Sequence, residues 1–119
     1  VEFERAEINA SGLCVRTERE DNIAVVLCSG RLTTENAAVL KEHLKSIIPH
    51  EKRILIDLAE LTRMDSVGLG ALVGIYISAK NANCELVLVN MSKPIRDLLG
   101  ITHLLSVFEA CGRFGTRMG

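Results

Sequence analysis

Arg53-Ile54-Leu55-Ile56-Asp57-Leu58, running on through Leu61 to Met64-Asp65-Ser66-Val67-Gly68-Leu69-Gly70, is the stretch on which the fold turns. Its first part is β-branched and apolar almost throughout, the pattern of a strand covered on both faces. Its second part changes period: from Ser66 to about Asn81 the apolar residues recur at helical spacing, and no charged side chain stands between Ser66 and Ala79. A buried strand that passes directly into a helix is half of a parallel crossover unit. Glu85 to Val89 supplies the next buried strand.

On the N-terminal side, Thr33 or Thr34 offers an N-cap. Ala37, Leu40, Leu44, Ile47 and Ile48 then recur with helical spacing up to Pro49, which predicts an amphipathic helix. Gly12 to Arg19 and Ile23 to Cys28 are rich in Leu, Val and Ile, and Asp21-Asn22 between them has turn chemistry, so two antiparallel strands open the domain. Glu2 to Ile8 is a weaker candidate for an edge strand, because Ala and Glu are poor strand formers. On the C-terminal side, Ser92 and Pro94 suit the start of a short helix from about Lys93 to Leu99. Gly100 suits its end. Leu104 to Glu109 reads as a last edge strand.

This order of elements predicts an α/β fold: a mixed, mostly parallel β-sheet with helices packed mainly on one face. One domain is expected over residues 1–110, with a flexible C-terminal tail over 111–119, since 119 residues leave no room for a second core.

Acidic and basic side chains number 15 and 14, and their near balance, spread along the chain, argues against nucleic acid as a partner. The longest apolar stretch, Val67 to Ala79, is too short to cross a bilayer as a helix, which needs about 20 residues. Glu2, Glu4, Arg5 and Glu7 break up any signal-peptide core. The expected address is the cytoplasm, with no membrane partner. Cys14, Cys28, Cys84 and Cys111 form no CxxC pair and read as reduced packing residues. His43, His50 and His103 are isolated from one another, without metal-ligand spacing. No metal and no cofactor are expected, and no nucleophile has a base and an orienting group in view, so the chain is not read as an enzyme.

The segment from Met64 to Gly70 carries the function, because connections leaving the strands of open α/β sheets are where sites are built. Asp65 or Ser66 caps the helix, and the Ser66 hydroxyl lies where free backbone N–H groups favour negative charge. The glycines match neither GK[ST] nor GxGxxG, so the loop does not read as a nucleotide site. Gly68, Gly70 and Gly74 each weaken a helix by about 1 kcal/mol relative to Ala, and close approach of another backbone is the natural reason for them. On a helical wheel, Leu69, Leu72, Val73, Tyr76 and Ile77 make the stripe expected to face the sheet. Val67, Ala71, Gly74 and Ser78 make a small, uncharged outward side. That side is read as a docking surface centred beside Ser66; a weak homodimer or a covering tail would use the same kind of face.

At these residues the chain resembles the STAS family, and within it the bacterial anti-sigma-factor antagonists. The resemblance runs from about Gly12 to Phe108 and rests on Ile54 to Leu58, Leu61, the Asp65-Ser66-Val67-Gly68-Leu69-Gly70 string, the strand Leu86 to Val89 and the Leu98 to Leu104 turn. It implies that Ser66 is phosphorylated by an anti-sigma factor that is a serine kinase. Asp65 would be the neighbouring acid, with Val67 and Gly68 completing the phosphorylation loop. It further implies that the dephosphorylated protein binds the kinase and releases a sigma factor, and that a PP2C-type phosphatase resets the switch. The chain departs from the family's pattern at Gly30-Arg31-Leu32-Thr33, where many antagonists carry acids after the glycine and two positions later. The alternative is a constitutive interaction module of the same family, a transport-complex subunit or a stressosome-like scaffold, in which Ser66 is only a cap.

Overall fold

The computed structural model describes residues 5–101. The elements run β1 (Arg5–Ala10), β2 (Leu13–Glu20), β3 (Ile23–Leu32), α1 (Ala37–Ile47), a 3₁₀ turn (Ile48–His50), β4 (Arg53–Met64), α2 (Ser66–Asn81), β5 (Glu85–Val89) and α3 (Lys93–Ile101). The five strands form one sheet in sequence order. β1 pairs with β2 and β2 with β3 in antiparallel fashion, whereas β3 with β4 and β4 with β5 are parallel. The sheet is therefore mixed in equal parts, which corrects the expectation of a mostly parallel one. The difference comes from β1, the weak edge candidate, which forms and adds a second antiparallel pairing.

Both hairpins turn on two residues. Ser11-Gly12 and Asp21-Asn22 all adopt positive φ, the geometry of type I′ turns, whose twist matches that of the flanking strands. This sets the registers Ala10↔Leu13 and Glu20↔Ile23. The core follows from the period of two along each strand: Ala24, Val26, Ile54, Ile56, Leu86 and Leu88 are all 2% exposed or less, and Ala24–Ile54–Leu86 and Val26–Ile56–Leu88 are aligned across three strands. Leu40 and Leu44 of α1, Leu72 and Ile75 of α2 and Ile95 of α3 join this cluster. Half-buried Asp57 is satisfied locally, accepting from Ala59 N at 2.9 Å and from Asn90 Nδ2 at 3.3 Å.

Three boundaries differ from the sequence expectation. β4 continues to Met64 rather than ending near Leu58, because β3 also runs on to Leu32 and pairs with it after one register shift at Ser29↔Glu60 and Gly30↔Leu61, and after a second at Arg31↔Arg63 and Leu32↔Met64. α1 starts at Ala37 with Asn36 at its N-cap position, not Thr33 or Thr34. Asn36, 1% exposed, makes no side-chain cap; its Oδ1 accepts from Thr33 N at 2.9 Å, and its Nδ2 donates to Ser11 O and Arg31 O at 3.0 Å each. α3 extends through Gly100 to Ile101. The expected strand at 104–109 and the tail at 111–119 lie outside the described residues, as do Cys111 and His103. Among the described residues no helix is long and apolar enough to cross a membrane.

Candidate functional site

β4 delivers Asp65 to the start of α2 in extended geometry, with φ −102 and ψ −175. Its carboxylate does two jobs. Oδ1 accepts from Gly68 N at 2.9 Å and caps the helix; Oδ2 accepts from Thr34 N at 2.9 Å and from Thr34 Oγ1 at 3.0 Å. The Asp65 N–H also donates to Leu32 O at 3.2 Å. One residue thus ties the helix start to the loop after β3. These hydrogen bonds, the one from Gly68 first, hold its carboxyl below the usual carboxylate range, because each favours the ionised form.

Ser66 is the first residue of α2 and is exposed. Among the described residues its hydroxyl has no hydrogen-bond partner in the structure, so the two readings of the cap resolve in favour of Asp65. Gly68 is buried, and its backbone lies against Leu32: an added Cβ would collide with Leu32 O and come within 3.0 Å of Leu32 C. Close approach of another backbone therefore accounts for Gly68. It does not account for the other two, since a Cβ at Gly70 would meet nothing within 4 Å, and at Gly74 only the end of the Lys41 side chain, Cε at 2.8 Å and Nζ at 2.9 Å.

The outward face of α2 is rotated from the wheel expectation. α2 packs against α1 as well as against β4 and β5, so it buries two sides rather than one. Ala71, expected to face outward, is 7% exposed, while Ile75 is fully buried. Ile77, expected to face the sheet, is 51% exposed. Val73 and Tyr76 are half-buried. Val67, 47% exposed, stands where it was expected; Gly74 and Ser78 are half-buried, Gly74 beneath Lys41 of α1. The exposed positions are Val67, Gly70 and Ile77, at i, i+3 and i+10, with half-buried Gly74 between the last two.

Beside this helix start, Arg31, Thr33, Thr34, Glu35, Arg63 and Asp65 line a depression of about 500 Å³. Nothing in the sequence singled out Thr34 as the partner of Asp65, because the two are brought together only by the sheet. The cysteines lie elsewhere. Cys28 and Cys84 are buried, and burial, helped by Asp57 and Cys14, pushes the Cys28 thiol up to about 12. Cys14 donates to Glu7 Oε2 at 3.4 Å. His43 Nε2 lies 2.7 Å from Thr17 Oγ1, and burial lowers its pKa.

The family model described as STAS domain matches residues 15–116. The chain is 34% identical over 93 residues to the anti-sigma-B factor antagonist of Listeria monocytogenes, covering 77% of this chain and 82% of the relative. It is 30% identical over 95 residues to the anti-sigma-B factor antagonist of Bacillus subtilis, covering 80% of this chain and 87% of the relative. Its fold is similar to the crystal structure of an anti-sigma factor antagonist from Mycobacterium paratuberculosis, with a TM-score of 0.72 at 23% identity over 81% of this chain and 82% of the other. With these matches spanning most of its length, the chain belongs to the STAS domain family.

Proposed function

We propose that the protein is an anti-sigma-factor antagonist that acts in the cytoplasm by binding and not by catalysis. Its partner is an anti-sigma serine kinase, which it binds when Ser66 is unmodified, so releasing a sigma factor. The kinase transfers the γ-phosphoryl group of ATP to Ser66 Oγ, and a PP2C-type phosphatase removes it. The observation that carries this reading is the exposed Ser66 hydroxyl, without a hydrogen-bond partner among the described residues, on a capped helix start whose helix also exposes Val67 and Ile77.

The physical logic is a difference between folding and binding. Phosphate adds about 1.5 to 2 negative charges, and a helix start tolerates negative charge, so the free protein stays folded. At a docked interface the same group must lose its water beside Val67 and Gly70, the exposed residues of the first turns of α2. Leaving such a charge unpaired costs several kcal/mol, and a penalty of about 3 kcal/mol lowers affinity roughly a hundredfold. Ser78 sits at the edge of this face, and Ala71, being buried, supports it from within rather than touching the partner.

Incubation with the cognate kinase and ATP, followed by intact-mass measurement and peptide mapping, is the test. One phosphate on Ser66, and constitutive binding by Ser66→Ala, are expected. A phosphate elsewhere, or none with a kinase that demonstrably binds, would favour a constitutive interaction module instead.

A further inference from the structure

Lys41 of α1 lies half-buried across α2, with its Cε 2.8 Å and its Nζ 2.9 Å from the point that a Cβ on Gly74 would occupy. Its ammonium group therefore rests on the outer side of α2, between exposed Gly70 and exposed Ile77. α2 offers it no counter-charge there, because no residue from Ser66 to Ala79 is charged. On its own helix the positions four residues away are Ala37 and Lys45, and like charges at that spacing destabilise a helix. Lys45 stands in the last turn, where the helix dipole favours a cation; Lys41 has no such compensation. Among the described residues neither lysine forms an ion pair. Gly74 lies eight residues beyond Ser66, about 12 Å along the helix axis, so this ammonium is out of ion-pair reach of a phosphate at Ser66. What it does reach is anything that docks on α2.

We infer that Lys41 is the charged contact of the docking face and that the kinase surface it meets is acidic, an inference that rests on α2 being the face that binds the anti-sigma kinase. A partner seated on Val67, Gly70 and Ile77 covers Lys41 as well and takes its ammonium out of water. A cation buried without a counter-charge costs affinity, so a partner that binds here sets a carboxylate over Gly74. A neutral or basic surface of the same shape is rejected. The exposed apolar residues supply contact area, while Lys41 decides which surface fits and steers its approach. Gly74 takes part by having no side chain, which lets the lysine lie low across the helix.

The test measures binding of the full chain to the cognate kinase by surface plasmon resonance, without ATP so that Ser66 stays unmodified. At low salt Lys41→Gln should weaken binding about threefold to tenfold, and Lys41→Glu, which sets two acids against each other, by more than about tenfold. Lys41→Arg keeps the charge and should bind within about threefold of wild type. Added salt should weaken wild type more than Lys41→Gln, because it screens the pair that the variant lacks. The substitutions relieve a like-charge pair, so circular dichroism and urea midpoints should show folds as stable as wild type. Lys41→Glu binding as tightly as wild type, or Lys41→Arg failing as badly as Lys41→Glu, would overturn the acidic contact and leave the antagonist reading in place. No binding by wild type would instead count against that reading and take the inference with it. Self-association of the chain that Lys41→Glu abolishes would make the occupant a second copy and overturn the proposal as well.

Discussion

Replacing the three glycines of α2 by alanine, one at a time, should give three different results, although the sequence alone assigns them the same gain. In a helix interior Ala is favoured over Gly by about 1 kcal/mol; at Gly68, in the first turn, the gain is at most that. Gly70 is exposed, and a Cβ there meets nothing within 4 Å, so Gly70→Ala should stabilise by about 0.5–1 kcal/mol. At Gly74 the Cβ meets the far end of Lys41, a flexible side chain that swings aside, and the change should fall within about 0.5 kcal/mol of zero. At Gly68 the Cβ runs into the Leu32 carbonyl and lies 3.0 Å from both Leu32 C and Leu32 Cγ. Backbone stands on both sides of that contact, and Leu32 O also accepts from Asp65 N, so neither side can rotate away. Overpacking of this kind costs about 1–3 kcal/mol, and a weakened hydrogen bond adds about 1 kcal/mol. Gly68→Ala should therefore be destabilised by about 1–3 kcal/mol after its propensity gain is counted. Urea unfolding followed by circular dichroism should separate Gly70→Ala from Gly68→Ala by about 1 M or more in midpoint. A Gly68→Ala variant as stable as wild type would show that α2 does not sit hard against the end of β3, and with it the placement of Ser66 would be wrong.

Gly70→Arg should fold normally, because its site is open, yet lose kinase binding by tenfold or more, on the order of 1.4 kcal/mol; unchanged affinity in a pull-down or calorimetric titration would move the docking face off Val67, Gly70 and Ile77. His43, whose pKa is lowered by burial, binds less proton folded than unfolded. It therefore contributes stability that is whole above pH 6.5 and diminishes as pH falls below that value. His43→Gln should flatten the stability profile in that window, which is separate from that of Asp65, where loss begins only below about 3.8. Cys28 runs the other way: its folded thiol titrates at about 12 against 9.0 unfolded, so its contribution is whole below pH 9.0 and falls by roughly 1 kcal/mol per pH unit above it. Cys28→Val should remove that slope in denaturation curves recorded between pH 8 and about 10, and native Cys28 should react with a thiol reagent at pH 8 far more slowly than the same residue in urea.

Much of this fold is legible in the chain because its signals are local. The period of two in Ile23 to Cys28 and Arg53 to Leu58, the turn chemistry of Asp21-Asn22 and the helical spacing from Ala37 to Ile48 each follow from bonded geometry within a few residues. Asp65 as a cap and Ser66 beside it are readable for the same reason, since an N-cap reaches only to the third residue of its own helix. What required the tertiary structure is everything that depends on a second element. Ala59, Glu60, Thr62 and Arg63 carry no strand pattern, and β4 passes through them only because β3 offers partners as far as Leu32. Asn36 does not cap α1 with its side chain because that group is already engaged with Thr33, Ser11 and Arg31. A helical wheel locates one apolar stripe, but which side of α2 meets solvent depends on α1 packing against it as well as the sheet; Ala71 ends up buried and Ile77 exposed. The bond from Thr34 to Asp65 and the pairing of Arg31 with Arg63 join residues some thirty positions apart; no period within one segment encodes such a contact, because it exists only once the parallel strands are side by side.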